Sequence, residues 1–455
     1  MSFVTETARR IPVFREVDVL VVGGGPTGIM AAAAAARQGL SSLLIERSGF
    51  LGGAGTAGGL STFCGLHSNV HGEHVRTVGG MVPELLDRID KLGGLRRPHL
   101  SFADRIMAQA YDIPAYRLAA DQLVLASGAE ILFHTFAVGL LMKDDAHIDA
   151  VIVETKEGRF ALRARFVIDA SGDADVAYWS GAEFEKSPPN EMLYPSTMFR
   201  INNVDGARAG AAWKTLPQMM DAAVAAGREP FPRRGAIVRP QRDDIEWRAN
   251  ATQLRTPEGL ALDGTRIEDL SAGEIQGRQQ AQEVFEFIRD NHAGFERSYI
   301  VDIGPEIGIR ETRRIVGAYQ LTEEDVLGGV DFDDAIGING WPVEAHVDGN
   351  VEIRWPHGDA PRGYSQLPYR IMVAPAVSNL LVGGRGASMT HGGHSAARVS
   401  GPCFAMGHAA GVAAAIALED GVSAASVDIA KLQSRLAEQE AILEVKEDMK
   451  ESVDK

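Results

Sequence analysis

The chain has 455 residues, 45 Lys and Arg against 61 Asp and Glu, a formal charge of −16, 45% hydrophobic residues, 50 Gly and 2 Cys. That length allows about two or three domains, and the apolar share is that of a folded core. The cysteines build no disulfide framework or zinc site, and an acidic chain with no Lys/Arg block opposes nucleic acid and anionic lipid, though not a local basic pocket.

The N-terminus carries Arg9 and Arg10, but Ile11, Pro12, Val13, Phe14 and the charged Arg15 and Glu16 follow, with no export h-region. A cytoplasmic location is therefore expected. Apolar runs such as 29–36 and 411–418 fall short of the ~18 residues a bilayer span needs, so no membrane span is expected.

Residues 18–22 (DVLVV) predict a buried strand that runs into Gly23, Gly25 and Gly28 of a G-x-G-x-x-G turn, then a helix with six consecutive alanines that closes at Gly39. The first glycine permits the tight turn, the second lets backbone N–H groups approach a pyrophosphate, and the third lets the helix pack on the sheet. Pro26 suits the first helical turn, and Thr27 follows it. A second strand, 42–45, ends at Glu46, placed to accept both ribose hydroxyls of an adenosine and to repel a 2′-phosphate. This unit predicts an ADP-containing dinucleotide.

Arg47 opens a glycine-rich loop, 47–59, able to pass close under an extended cofactor; it contains Gly53 and Thr56. A nicotinamide domain would normally continue into its next helix there. Strand-like pieces at 131–136, 148–155 and 159–162, joined by polar turns, predict a β-meander that ends in 166–168 and the turn Asp169, Ala170, Ser171, Gly172, Asp173. From residue 185 the composition changes to scattered prolines, a charged 239–248 stretch and helical periodicity over 276–289, which reads as an inserted domain over the cofactor. The charged run Arg310, Glu311, Thr312, Arg313, Arg314 either positions substrate or ion-pairs between domains. Residues 379–386 return as a buried strand breaking into Gly383, Gly384, Arg385 and Gly386. Gly401 and Pro402 then open a small-residue helix over 403–418 that includes Ala405, and its N-terminus carries a partial positive charge of about half a unit. An amphipathic helix over 428–445 and a solvated ten-residue tail complete the chain.

The segments 19–59, 163–176 (with IDASGDADVA), 308–325, Tyr369-Arg370 and 380–418 together resemble FAD-dependent oxidoreductases of the glutathione-reductase-like superfamily. The likeness lies on the branch of the fumarate reductase and succinate dehydrogenase flavoproteins. The resemblance implies an α/β fold: a Rossmann-like FAD-binding domain (a parallel sheet with a β-meander) plus an inserted α+β substrate or cap domain. The divisions expected are 1–184 and 365–425 for FAD, 185–364 for the cap, and 426–455 for the C-terminal helix and tail. FAD would lie on Gly23, Gly25, Pro26, Thr27 and Gly28, on Glu46 and Arg47, and on Gly53 and Thr56. Ala170, Gly172 and Asp173 and then Gly384 and Arg385 would hold its ribityl or pyrophosphate, and Gly401 and Ala405 of the late helix would face the flavin. Cys64 and Cys403 read as packed residues, 339 positions apart and unfit as a redox pair.

Arg385, His391, His394 and Arg398 form the densest polar cluster, and His394 with Arg398 resembles the His-x-x-x-Arg element of fumarate reductase-type flavoproteins. That resemblance makes Arg398 a clamp for an anionic group or a carbonyl near the ring, and His391 or His394, whose ordinary pKa is nearest neutrality, the proton acceptor; the alternative is that the histidines bond backbone or touch only the flavin. His67, His71 and His346 are candidates of the second rank. No second G-x-G-x-x-G unit follows, so hydride is expected to pass between a small organic substrate and flavin N5, with an external electron acceptor and no NAD domain. The capping elements of fumarate reductases find no match in 185–300. A carboxylate desaturase or reductase is the alternative enzyme, and a non-catalytic electron-transfer subunit the alternative of another class. No metal is expected, a homo-oligomer is left open, and a hydrolase or ATPase lacks its motif.

Overall fold

The computed structural model describes residues 3–241, 243–358 and 361–445. The expected ten-residue tail lies outside the described residues. The strand Val13–Val22 pairs in parallel with Ser42–Ile45 on one side and with Gly158–Asp169 on the other. Glu130–Leu132 extends the sheet in parallel beyond Ser42–Ile45, and Leu380–Val382 pairs in parallel with the end of Gly158–Asp169. Leu132, Ile45, Val22, Asp169 and Val382 are brought into register by these pairings, so five carboxyl ends share one edge. Ligands of open parallel sheets bind beyond that edge.

Gly158–Asp169 carries two jobs at once. Its first half pairs antiparallel with His147–Thr155, which in turn pairs with Phe136–Asp144, giving the expected meander. The pieces expected at 159–162 and 166–168 are thus one continuous strand. The piece expected over 131–136 is split the other way: Glu130–Leu132 joins the parallel sheet, and the meander starts at Phe136. His134 between them has φ +52°, a left-handed conformation that strands do not tolerate.

The helix Pro26–Arg37 packs against Ser400–Asp420 through small residues. A Cβ on Gly407 would lie 2.1 Å from the Thr27 carbonyl oxygen, and one on Gly411 2.5 Å from that of Ala31. By length and composition Ser400–Asp420 is apolar enough to cross a membrane, yet 89% of its apolar stretch is buried, so it is the central core helix.

A second hydrophobic core lies beside the first. Ile237–Pro240, Trp247–Asn250, Met198–Asn202 and Tyr299–Ile303 form an antiparallel sheet in that order. Phe199, Trp247 and Phe295 from this region pack with Val284 and Ile288 of the helix Ile267–Asn291, which contains the expected 276–289 segment. In contrast Leu321, Ile336, Val343 and Leu367 join the core of the two dinucleotide-side helices. The expected C-terminal helix is shorter than 428–445: it spans Ile429–Glu438, buries Leu432 and Leu436, and stops before Glu440, whose φ is +61°.

The helix crossing generates a test. Gly407→Ala should lower the stability to denaturant by about 1–3 kcal/mol, the usual effect of overpacking, and release FAD more readily. Unchanged unfolding and unchanged FAD retention would show that the two helices do not need this close approach.

Candidate FAD and substrate site

An elongated cavity of about 390 Å³ runs along the carboxyl edge of the sheet. At one end is the glycine turn. Gly23 has φ +101°, and a Cβ there would lie 2.5 Å from the Ala170 carbonyl oxygen. A Cβ on Gly28 would lie 1.8 Å from the Gly23 carbonyl oxygen, so this glycine lies beneath the turn and packs it. A Cβ on Gly25, by contrast, meets nothing nearer than Gly53 Cα at 3.9 Å, which leaves the turn open to the cavity. No side chain caps the helix that begins at Pro26, so its first N–H groups are free to receive an anion. These features fit the pyrophosphate of FAD.

The predicted cofactor residues divide into two sets. Gly23, Gly25, Pro26, Thr27, Glu46 and Arg47 line the cavity, followed by Gly53, Ala170, Gly172 and Asp173, and by Gly384 and Arg385 on the return segment. Gly28, Thr56, Gly401 and Ala405 lie behind them. Thr56 Oγ1 donates to the Leu51 carbonyl at 2.7 Å and so braces the glycine loop. Gly401 is pressed against Gly65, and Ala405 faces Gly337 in Ala335–Asn339, away from the cavity.

Electrostatic clamps hold this end rigid. Glu46 accepts from the backbone N–H groups of Gly24 and Ser48, each at 2.8 Å. Arg47 ion-pairs with Glu306 at 2.5 Å, and Arg385 with Asp173 at 3.0 Å. Buried Asp169 accepts from Ser171 and Ala177 N–H, both at 3.0 Å, which fixes the turn at 170–175. Asp175 is pushed up to about 7 by burial and by Asp173 and Asp169, against the pull of Arg313.

The charged run at 310–314 divides between the cavity wall and ion pairs with neighbouring segments. Arg310 lines the cavity and donates to the Tyr194 carbonyl at 2.6 Å and Ser196 Oγ at 2.9 Å. Thr312 and Arg313 bind Asp173 and Asp175, while Arg314 pairs with Glu311 and with Glu185.

His391 and His394 lie outside the cavity lining. His391 Nδ1 is 3.2 Å from Glu311, and His394 is fully buried with neither ring nitrogen bonded. Burial holds the His394 imidazole far below its ordinary pKa, hence neutral. The geometry therefore separates Arg398, which does line the cavity, from the two histidines expected to work with it.

A different histidine faces the cavity. His346 is buried there, with Nε2 3.1 Å from Glu344 Oε1; Trp341 Nε1 donates to Glu344 Oε2 at 2.8 Å. Burial raises the Glu344 carboxyl, but its bond to His346 and the charge of Arg398 outweigh that and keep it ionised. The carboxylate accepts, so the His346 proton sits on Nε2 and Nδ1 is the acceptor. Burial and Arg310 keep His346 neutral. Cys64 also lines the cavity, but burial and Glu344 push its thiol up to about 12; Cys403 is pushed up to about 11 by burial, so neither is a thiolate.

Sequence reasoning passed over Glu344, His99, Arg239 and Arg248, all at this end. The 239–248 charge stretch was the available signal, but its inward direction follows only from strand register. Among the described residues no group of three or more His, Cys, Asp or Glu is arranged to hold a metal.

A parallel sheet, an open glycine turn at a helix N-terminus and a carboxylate at the end of the second strand define a Rossmann-type FAD-binding flavoprotein. The chain belongs to the FAD dependent oxidoreductase family, whose model matches residues 18–436; it is an enzyme, and its cofactor is FAD. It is 31% identical over 170 residues to thiamine thiazole synthase of Methanococcus vannielii, covering 35% of this chain and 58% of that one. It is 28% identical over 184 residues to digeranylgeranylglycerophospholipid reductase 1 of Methanothermobacter thermautotrophicus, covering 38% and 43%. The matches thus span about half the length of these curated relatives. Among solved structures, a geranylgeranyl bacteriochlorophyll reductase-like protein of Thermoplasma acidophilum aligns with TM-score 0.48 and 14% identity over 94% of this chain and 84% of that one. The p-nitrophenol 4-monooxygenase of Pseudomonas putida aligns with TM-score 0.49 and 14% identity over 94% and 87%.

A pH test follows from His99. Burial and the guanidiniums of Arg239, Arg248 and Arg96 push it down to about 4, whereas an unfolded chain takes up this proton near the ordinary 6.5. Below pH 6.5 the unfolded state binds more protons, so this residue makes stability fall as pH drops toward 4. His99→Gln should flatten that fall in denaturant titrations run across the window; an unaltered slope would contradict the assignment.

Proposed function

We propose that this enzyme oxidises a small organic anion by hydride transfer and passes the electrons to an external acceptor. The observation that carries the reading is Arg398: a half-buried guanidinium on the cavity wall that donates through Nη2 to the Glu344 carbonyl at 3.2 Å while its buried Nε has no hydrogen-bond partner. An unpartnered buried donor is costly, and a substrate carboxylate satisfies it through the planar fork of arginine. The helix Ser400–Asp420 begins immediately after it, with no side-chain cap, and its positive end favours negative charge at this point of the cavity.

FAD supplies the two-electron acceptor when bound. Arg398 orients the substrate, and the antiparallel sheet with its arginines walls the site from water. As the substrate C–H bond gives up its electron pair, the proton of the adjoining O–H, N–H or α-carbon goes to His346 Nδ1. Glu344, bonded to Nε2, stabilises the imidazolium that results. A double bond to carbon, oxygen or nitrogen is left in the product.

The His394-x-x-x-Arg398 spacing supports placing the chain on the fumarate reductase branch, with carboxylate desaturation or its reverse as one form of the reaction. A cavity with Arg239, Arg248, Arg310 and Arg398 on its lining is a feature a non-catalytic electron-transfer subunit does not need, which favours the enzyme with its own substrate. Burial of the one long apolar helix found among the described residues fits a soluble protein, and the acidic sequence is compatible with the cytoplasm.

Anaerobic mixing of the FAD-loaded protein with alcohols, amines, sugars and carboxylic acids should bleach the flavin with one anionic class. Arg398→Gln should then raise KM about tenfold or more. His346→Gln should slow flavin reduction by about 10²–10⁴-fold. Bleaching by neutral substrates alone, or wild-type kinetics in both variants, would remove this reading.

A further inference from the structure

Beyond Arg398, the same cavity holds a pair of arginines to which the reaction above assigns no bound group. Arg239 and Arg248 stand directly opposite each other on the strands Ile237–Pro240 and Trp247–Asn250, and both line the cavity. Like charges in directly opposed positions destabilise a sheet. Arg200 is opposite Arg248 on the third strand, but it is neutralised by Glu246 at 3.0 Å and Asp302 at 3.3 Å.

The inner pair has no such relief. Among the described residues no carboxylate lies within ion-pair distance of Arg239 or Arg248. Arg248, 7% exposed, donates to the Leu60 carbonyl at 2.8 Å and leaves its buried Nε without a partner. Arg239 donates to Ser101 Oγ at 3.0 Å and stacks 4.3 Å over the Trp213 ring. His99 stands beside them, kept neutral by burial and their charge, and so adds no third cation. Two half- or fully buried guanidiniums side by side on one wall of a cavity without a counter-ion are costly unless an anion joins them. Among the described residues Glu344 is the carboxylate whose charge acts on Arg248, and it is engaged by His346 and Trp341.

We infer that Arg239 and Arg248 form a second oxyanion subsite, so that the substrate carries two anionic groups, one held here and one at Arg398. This inference rests on the proposed role of Arg398 and adds the substrate class. The group at the pair is a carboxylate or a phosphate ester, whose oxygens the guanidinium forks bind alike.

The test is binding to the FAD-loaded protein at fixed ionic strength, read by calorimetry and by perturbation of the flavin spectrum. The probes are short dicarboxylates, phosphonocarboxylates and monocarboxylates of matched length. At the fitting length a dianion should bind about tenfold tighter than its monoanion. Preference for the phosphonate identifies a phosphate ester, and preference for the dicarboxylate a dicarboxylic acid. Arg239→Gln should erase the discrimination while leaving monocarboxylate affinity and FAD content unchanged, and Arg239→Lys should keep part of it. Equal wild-type affinity for dianion and monoanion, or discrimination that survives Arg239→Gln, overturns the subsite. Monocarboxylate binding that is lost in Arg398→Gln would then still stand, so the reading at Arg398 survives that outcome. Absence of binding by any carboxylate removes both.

Discussion

The fold depends on one close approach between two helices from opposite ends of the chain. Gly407 and Gly411 of Ser400–Asp420 leave no room for side chains where they meet the backbone of Thr27 and Ala31. Thr27 Oγ1 seals the contact by donating to the Cys403 carbonyl at 3.0 Å, across 376 positions of sequence. Because both helices start without side-chain caps, the crossing sets two positive ends at one cavity. A helix N-terminus favours negative charge, so the two ends together suit an anionic cofactor such as FAD. Neither helix end alone makes such a site, and the small residues at the crossing are what allow the pair.

The second consequence is electrostatic. A chain of formal charge −16 nevertheless gathers Arg239, Arg248, Arg310 and Arg398 on one cavity lining, with Glu344 as the carboxylate that acts on three of them. Burial lowers the pKa of each guanidinium, and Arg239 comes down to about 10 under the influence of Arg248. Such crowding is tolerable where an anion completes it, and the net charge elsewhere keeps the attraction local to this cavity. Rigidity comes from the opposite end, where Glu46, Asp169 and Asp173 accept from backbone and side-chain donors and hold the turns that a dinucleotide must touch.

The sequence makes the dinucleotide half legible because its signals are local: a strand, a glycine turn, a helix and an acid at fixed spacing. Even Gly28, which lies behind the cavity, keeps the packing role its place in the motif assigns to it. The substrate half is different. Arg239 and Arg248 become neighbours only through the register of two antiparallel strands, and Arg310 joins them from another segment. His394 and Arg398 share the spacing of one helical face, yet His391–Ala397 is short and wedged against Leu321 and Glu323, so His394 is enclosed while Arg398 reaches the cavity. His346 gains its standing from Glu344, two residues away on the strand Val343–Val347, a partnership that side-chain geometry alone reveals.

The most direct measurement of the central claim is an equilibrium titration of the flavin-stripped chain with FAD, followed by quenching of flavin fluorescence. Convergence of the two helix ends on one cavity predicts saturation at one FAD per chain and recovery of the native visible spectrum. No saturable binding, or saturation at two, would contradict it.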